Sequence, residues 1–220
     1  MANPTLAYTA PFLSFAVLMS AGGWLGISPA VAYPIRVAVV AAVWLACSRG
    51  LIGLRPCRPA ASLLLGVGVF LIWIGPELLW PGYREHWLFR NALTRAAAGP
   101  LDPAQRLGVW FLVSRVAGST LLVPVIEELF WRGWLMRRLI ASDFQRVALG
   151  TYSSRAFWIT AILFASEHGP HWDVGLAAGA AYNWWMLRTR HLADCVTAHA
   201  ATNACLAGWV LGRGEWSYWL

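Results

Sequence analysis

The chain is built from apolar stretches close to 20 residues long, separated by short linkers that carry arginine. A stretch of about 20 mostly apolar residues is what a hydrocarbon core requires of a crossing helix, and within lipid a helix satisfies its own backbone hydrogen bonds. Of the 220 residues 59% are hydrophobic and 12% charged, against roughly 45–50% and about 25% in a soluble domain. The pattern predicts an all-α polytopic membrane protein. Helices are expected at about 8–27, 31–48, 61–80, 107–126 running on to about 140, 156–168, 173–187 and 192–211. The stretch 83–98 has Trp87, Leu88 and Leu93 at helical spacing among charges. It reads as an interfacial amphipathic helix or an eighth crossing, so the expected total is seven to eight transmembrane helices.

All 17 basic residues are arginine, and the net charge is +7. Most of the arginines lie in the linkers 48–59, 81–106, 141–155 and 188–191, or just before them. That placement fits loop charge under the positive-inside rule. No basic stripe interleaved with aromatics argues for nucleic acid. Counting loop arginines favours an N-terminus in the cytoplasm, although the 81–106 linker opposes it. The first arginine is Arg36, so the run at 8–27 lacks the basic region of a cleaved signal and is expected to remain as a first helix. Arginine without lysine, with abundant alanine and tryptophan, looks like a GC-rich bacterial genome, hence a bacterial inner membrane. The 15 tryptophans suit an extensive lipid interface. Arg36 and Glu77 fall on one side of the membrane and either pair or snorkel separately; Arg115, deeper, is expected to pack between helices. Cys47, Cys57, Cys195 and Cys205 show no zinc-ligand spacing and read as small buried hydrophobes.

The strongest chemical signal is Glu127-Glu128, set in the apolar run Leu121–Gly133. A charged residue at bilayer depth costs about 2.5–3.5 kcal/mol on insertion scales, which marks a functional-site candidate. Glu128 and Arg132 are four apart and share a helix face, so an internal ion pair can hold Glu128 as a carboxylate. Glu127 points about 100° away and has no such partner. Two neighbouring carboxyls with different surroundings suit acid/base work; a polar cluster that packs helices together is the alternative.

Two further polar clusters lie in apolar surroundings. Phe164 and His168 are four apart, with Glu167 adjacent and Gly169-Pro170 ending the helix. His199 and Asn203 share a face of the last helix, and two N–H donors there can form an oxyanion hole. A carboxylate base, an imidazole and two donors are what peptide hydrolysis by activated water needs. For both histidines to reach Glu127, the short helix before His168 must not span fully, or the break at 169–172 must lie inside the protein around a water-filled cavity.

With these motifs, EExxxRG (Glu127, Glu128, Arg132, Gly133), FxxxH (Phe164, His168) and HxxxN (His199, Asn203), the chain resembles the CPBP family of membrane-embedded proteases, related to the Rce1-type CAAX prenyl endopeptidase. The resemblance covers about 107–211, expected to be the protease core; 1–106 matches nothing specific and is expected to hold the N-terminal helices with the interfacial segment. It implies an intramembrane glutamic protease with a membrane-embedded active-site cavity and neither metal nor other cofactor. Glu127 and His168 would activate water, His199 and Asn203 would stabilise the oxyanion, and Glu128, Arg132 and Phe164 would support the site. The implied partners are the bilayer and a membrane-anchored protein or peptide cut near its C-terminus: a prenyl-type tail, a bacteriocin leader or a C-terminal sorting signal. Oligomeric state is left open. Two other readings compete. One is a zinc-dependent membrane protease with Glu127, Glu128, His168 and His199 as ligands. The other is a non-enzymatic transporter or assembly protein using the same residues as a proton relay or polar glue.

Overall fold

Each apolar run becomes a helix. A computed structural model describes residues 3–53, 55–91 and 108–219. The helices are α1 (Pro4–Trp24), α2 (Pro29–Cys47), α3 (Pro59–Leu79), α4 (Val109–Arg138), α5 (Ser154–Ser166), α6 (Trp172–Thr189) and α7 (Leu192–Arg213). Helices α1 to α4 contain segments long and apolar enough to cross a membrane. Helix α5 has 13 residues, about 20 Å at 1.5 Å per residue, and falls short of the roughly 30 Å hydrocarbon core. Helices α6 and α7 are long enough but carry polar residues through their middles. Proline at the first turn starts α2 and α3, where its missing N–H is no loss.

The bundle pairs α3 with α7, α5 with α6 and α1 with α2. Helix α3 meets α7 at Gly66: a Cβ there would run into the Ala198 carbonyl and lie 2.6 Å from the Ala201 Cβ. The Gly66 carbonyl accepts a hydrogen bond from Thr202 Oγ1 at 2.8 Å, which locks the crossing. The main apolar core draws Phe12 from α1, Leu129 and Trp131 from α4, Phe164 from α5 and Tyr182 and Met186 from α6. Apolar side chains also cover the outside, among them Val17, Leu64, Leu71, Leu121 and Ile162, as lipid-facing surfaces require. Trp24 ends α1, Trp80 follows α3 and Trp110 opens α4, all largely exposed. Such helix-end tryptophans suit the headgroup layer.

Several expectations change. The interfacial helix expected over 83–98 is not formed in its described part: Tyr83–Glu85 is a single 3₁₀ turn, followed by turns and bends to residue 91; residues 92–98 lie outside the described residues. Tertiary contacts override the apolar spacing here. Arg84 bonds the Pro170 carbonyl and Asp173, and Phe89 is buried while Trp87 and Leu88 stay exposed. Glu77 accepts from the Arg84 backbone N–H at 3.2 Å, whereas Arg36 lies over the rings of Phe15 and Tyr33. Arg115 packs between helices as expected, over Tyr33 and Trp219. Cys195 is buried, but Cys47 and Cys57 are exposed.

Candidate active site

Glu127 and Glu128 sit in α4 between two π-helical segments, Gly118–Leu122 and Leu129–Leu135. Such widened turns recur at functional sites, and here the first has a local cause. The Val123 N–H bonds back to the Gly118 carbonyl, five residues earlier. In the same register the Ser119 carbonyl would be served by residue 124, which is proline and has no N–H. Asn203 of α7 supplies the missing donor, its Nδ2 reaching the Ser119 oxygen at 2.8 Å. Gly118 allows the approach of α2, since a Cβ would lie 2.6 Å from Val37 Cγ2 and 2.9 Å from the Tyr33 hydroxyl.

One turn further, Glu128 and Arg132 form the ion pair their spacing implies: Nη1 to Oε1 at 3.0 Å, both side chains fully buried. A buried pair is tolerable only when its remaining polar atoms are satisfied. Arg132 meets that condition: Nε donates to Asn183 Oδ1 at 2.9 Å and Nη2 to the Gly179 carbonyl at 3.2 Å. Its guanidinium also lies 4.8 Å from the Phe164 ring and 5.4 Å from the Tyr182 ring. Asn183 is held in turn by donating to the Phe157 carbonyl at 2.8 Å.

His199 donates from Nδ1 to the same Glu128 oxygen at 3.0 Å. Its ring stacks on Tyr182 with centroids 5.0 Å apart, and the Tyr182 hydroxyl is tied to Thr202 at 2.7 Å. His168 donates from Nδ1 to the Phe164 carbonyl at 2.7 Å. A carbonyl only accepts, so the proton is on Nδ1 and Nε2 of the neutral ring keeps its lone pair. Trp73 closes one side of that ring at 5.1 Å.

Phe164 organises these groups. Its ring lies 4.7 Å from His168 and 6.0 Å from His199. Glu127 lies within electrostatic reach of His199, Glu167, Glu128 and Arg132, and His168 within reach of His199 and Arg132. Thus Glu127, Glu128, Arg132, Phe164, His168 and His199 gather in one place, with Asn203 one turn beyond His199 and bonded to α4. Among the described residues, Oε2 of Glu127 and Oε2 of Glu128 are enclosed without a hydrogen-bond partner.

Sequence reasoning missed Asn183, Tyr182, Thr202 and Trp73. Asn183 and Thr202 left a signal as polar residues inside apolar helices; the ring partners left none. Glu167 is an exposed residue next to His168, within reach of Glu127. Metal-ligating atoms converge in a group of three at Cys57, His191 and Asp194, and at no other place among the described residues, so Glu127, Glu128, His168 and His199 do not bring theirs together in this way.

Comparison with known families bears on the same half of the chain. Residues 107–205 match the model of the family described as Rce1-like, type II CAAX prenyl endopeptidase. No curated protein and no solved structure matches the chain. The match contains every motif residue named above, from Glu127 to Asn203: the chain is an α-helical membrane protein whose residues 107–205 are similar to the Rce1-like CAAX endopeptidases.

Proposed function

We propose that the chain is an intramembrane endopeptidase that hydrolyses a peptide bond near the C-terminus of a membrane-anchored protein or peptide. The observation that carries this reading is which atoms the buried network leaves free. His168 presents Nε2 as an acceptor because Nδ1 is committed to Phe164. Glu127 has an enclosed Oε2 with unused acceptor capacity. A water molecule shared by these two atoms can lose a proton to them as its oxygen attacks the scissile carbonyl carbon. The tetrahedral oxyanion then meets the second N–H of Asn203 Nδ2, the first being used on Ser119, beside the His199 ring. The Glu128 carboxylate holds that ring through Nδ1. On collapse the carbon–nitrogen bond breaks, and the proton taken from water goes to the leaving amine.

In this reading residues 107–211 carry the chemistry and 1–106 frame it. An apolar groove bordered by Leu112, Val116, Thr120 and Leu211 flanks the α4 segment that Asn203 binds, and it suits an apolar substrate tail arriving from the bilayer. The loop arginines support an N-terminus in the cytoplasm, and arginine use without lysine supports a bacterial inner membrane. The substrate class in this reading is a C-terminal sorting signal or another membrane-anchored tail.

The test is cleavage of a membrane-anchored reporter by purified protein. Glu127→Gln and His168→Ala should each lower the rate by at least about 10²–10⁴-fold while the protein stays folded. Full activity of Glu127→Gln refutes the mechanism.

A further inference from the structure

We infer that Cys57, His191 and Asp194 form a binding site for a zinc-type divalent cation, at the end of the bundle where α3 and α7 begin. One ligand atom from each residue lies within 4.8 Å of the others. They come from three places: the loop before α3, the residue that precedes α7, and the first turn of α7.

Asp194 is fully buried and already employed. Its Oδ1 accepts from the Arg58 N–H at 2.7 Å and from Ser62 Oγ at 3.1 Å, and its Oδ2 from the Cys57 N–H at 3.2 Å. The carboxylate thereby caps α3, whose start has no side-chain cap of its own. Capping explains Asp194 but not the two groups beside it. His191 Nδ1 is enclosed and has no hydrogen-bond partner among the described residues. It faces Asp194 Oδ2 at 3.6 Å, too far for a hydrogen bond.

That separation suits shared coordination. Zinc bonds of about 2.0–2.2 Å to nitrogen and oxygen and about 2.3 Å to sulfur, at tetrahedral angles, put ligand atoms roughly 3.4–3.6 Å apart. The histidine and aspartate already stand at that spacing. Cys57 is exposed and free, so rotation of its short side chain completes the set and gives the ion a route from solvent. Sulfur, nitrogen and oxygen ligands together favour zinc over calcium or magnesium. Thiolate and carboxylate balance the dication, and a fourth position remains for water. Ser62, which also accepts from Trp185 Nε1 at 3.0 Å, orients the aspartate from behind, as outer partners of metal ligands do.

Binding here ties the start of α3 to α7, the helix that bears His199 and Asn203. The experiment is titration of the full-length, chelator-stripped protein in detergent with zinc chloride against a chromophoric competitor, alongside thermal melting. We expect one zinc per chain and a higher melting temperature with zinc. Cys57→Ser and His191→Ala should each weaken binding at least tenfold and remove the thermal shift; the His191 side chain makes no capping hydrogen bond at the start of α7 and Cys57 is exposed, so both variants should fold. Cobalt(II) should give a thiolate charge-transfer band that Cys57→Ser abolishes. Glu127→Gln should bind zinc as the wild type does, which separates this site from the proteolytic one. Absence of stoichiometric zinc in the wild type overturns the assignment. So does zinc binding that survives loss of both Cys57 and His191, or that disappears in Glu127→Gln.

Discussion

Replacing Arg132 with methionine is the sharpest probe of the buried network. The guanidinium and the Glu128 carboxylate are both fully buried and 3.0 Å apart, so solvent screens neither. Removing the cation leaves Glu128 with the His199 ring as its partner and takes a donor from Asn183 Oδ1 and from the Gly179 carbonyl. Breaking a buried pair from one side costs about 3–5 kcal/mol. Each orphaned neutral acceptor adds about 1 kcal/mol. Arg132→Met is therefore expected to lose about 5–7 kcal/mol of stability, from the broken pair and the two orphaned acceptors together. Glu128→Leu alone, which strands the cation, should cost about 3–5 kcal/mol. The double variant removes both charges together and should be milder than the sum of the single ones, by about 2–3 kcal/mol. Equilibrium unfolding in mixed micelles, followed by tryptophan fluorescence, measures the cycle. The double variant should nevertheless stay inactive in reporter cleavage, because His199 has lost its anchor. Additivity of the two single changes within about 0.5 kcal/mol would show that the pair is not coupled, and the account of the site as one network would fail.

Two more changes test the helix geometry that presents the donors. Pro124→Ala restores an N–H able to serve the Ser119 carbonyl, which frees Asn203 from its anchor; kcat should fall by up to about 10²-fold with KM and thermal stability little changed, and an unaltered kcat would remove Asn203 from the proposed oxyanion site. Gly66→Ala places a Cβ against the Ala198 backbone and the Ala201 side chain and should destabilise by about 1–3 kcal/mol through overpacking, read as a lower midpoint of unfolding; a shift within about 0.5 kcal/mol counts against a tight α3–α7 crossing.

What could be read from the sequence follows from where each partner lies. Glu128 and Arg132 are on one helix, so their pairing follows from the 3.6-residue period alone, and the ion pair forms even where the turn widens into a π segment. Glu127, one residue away, has to face elsewhere, and its Oε2 is indeed unpartnered among the described residues. His168 and His199 were legible as polar residues in apolar helices, but what each ring nitrogen bonds was not. The Phe164 carbonyl is a local partner set by the end of α5; Glu128 is 71 residues from His199 in the chain. Asn183 was passed over for the same reason: its role exists only where α4, α5 and α6 meet. The segment 83–91 misled because apolar spacing measures what a helix would bury if it formed, while Arg84 and Phe89 answer to groups 83–89 residues away or to neighbours in the turn.

Pro124 is the instructive case. Read locally, it is a tolerated helix proline next to the glutamates. In the folded bundle its missing N–H leaves the Ser119 carbonyl to a side chain from another helix, and that side chain is the asparagine the motif already singled out. Local backbone chemistry on α4 therefore decides where a residue of α7 points. The distance between those two facts along the chain is why a motif can name Asn203 without revealing what holds it.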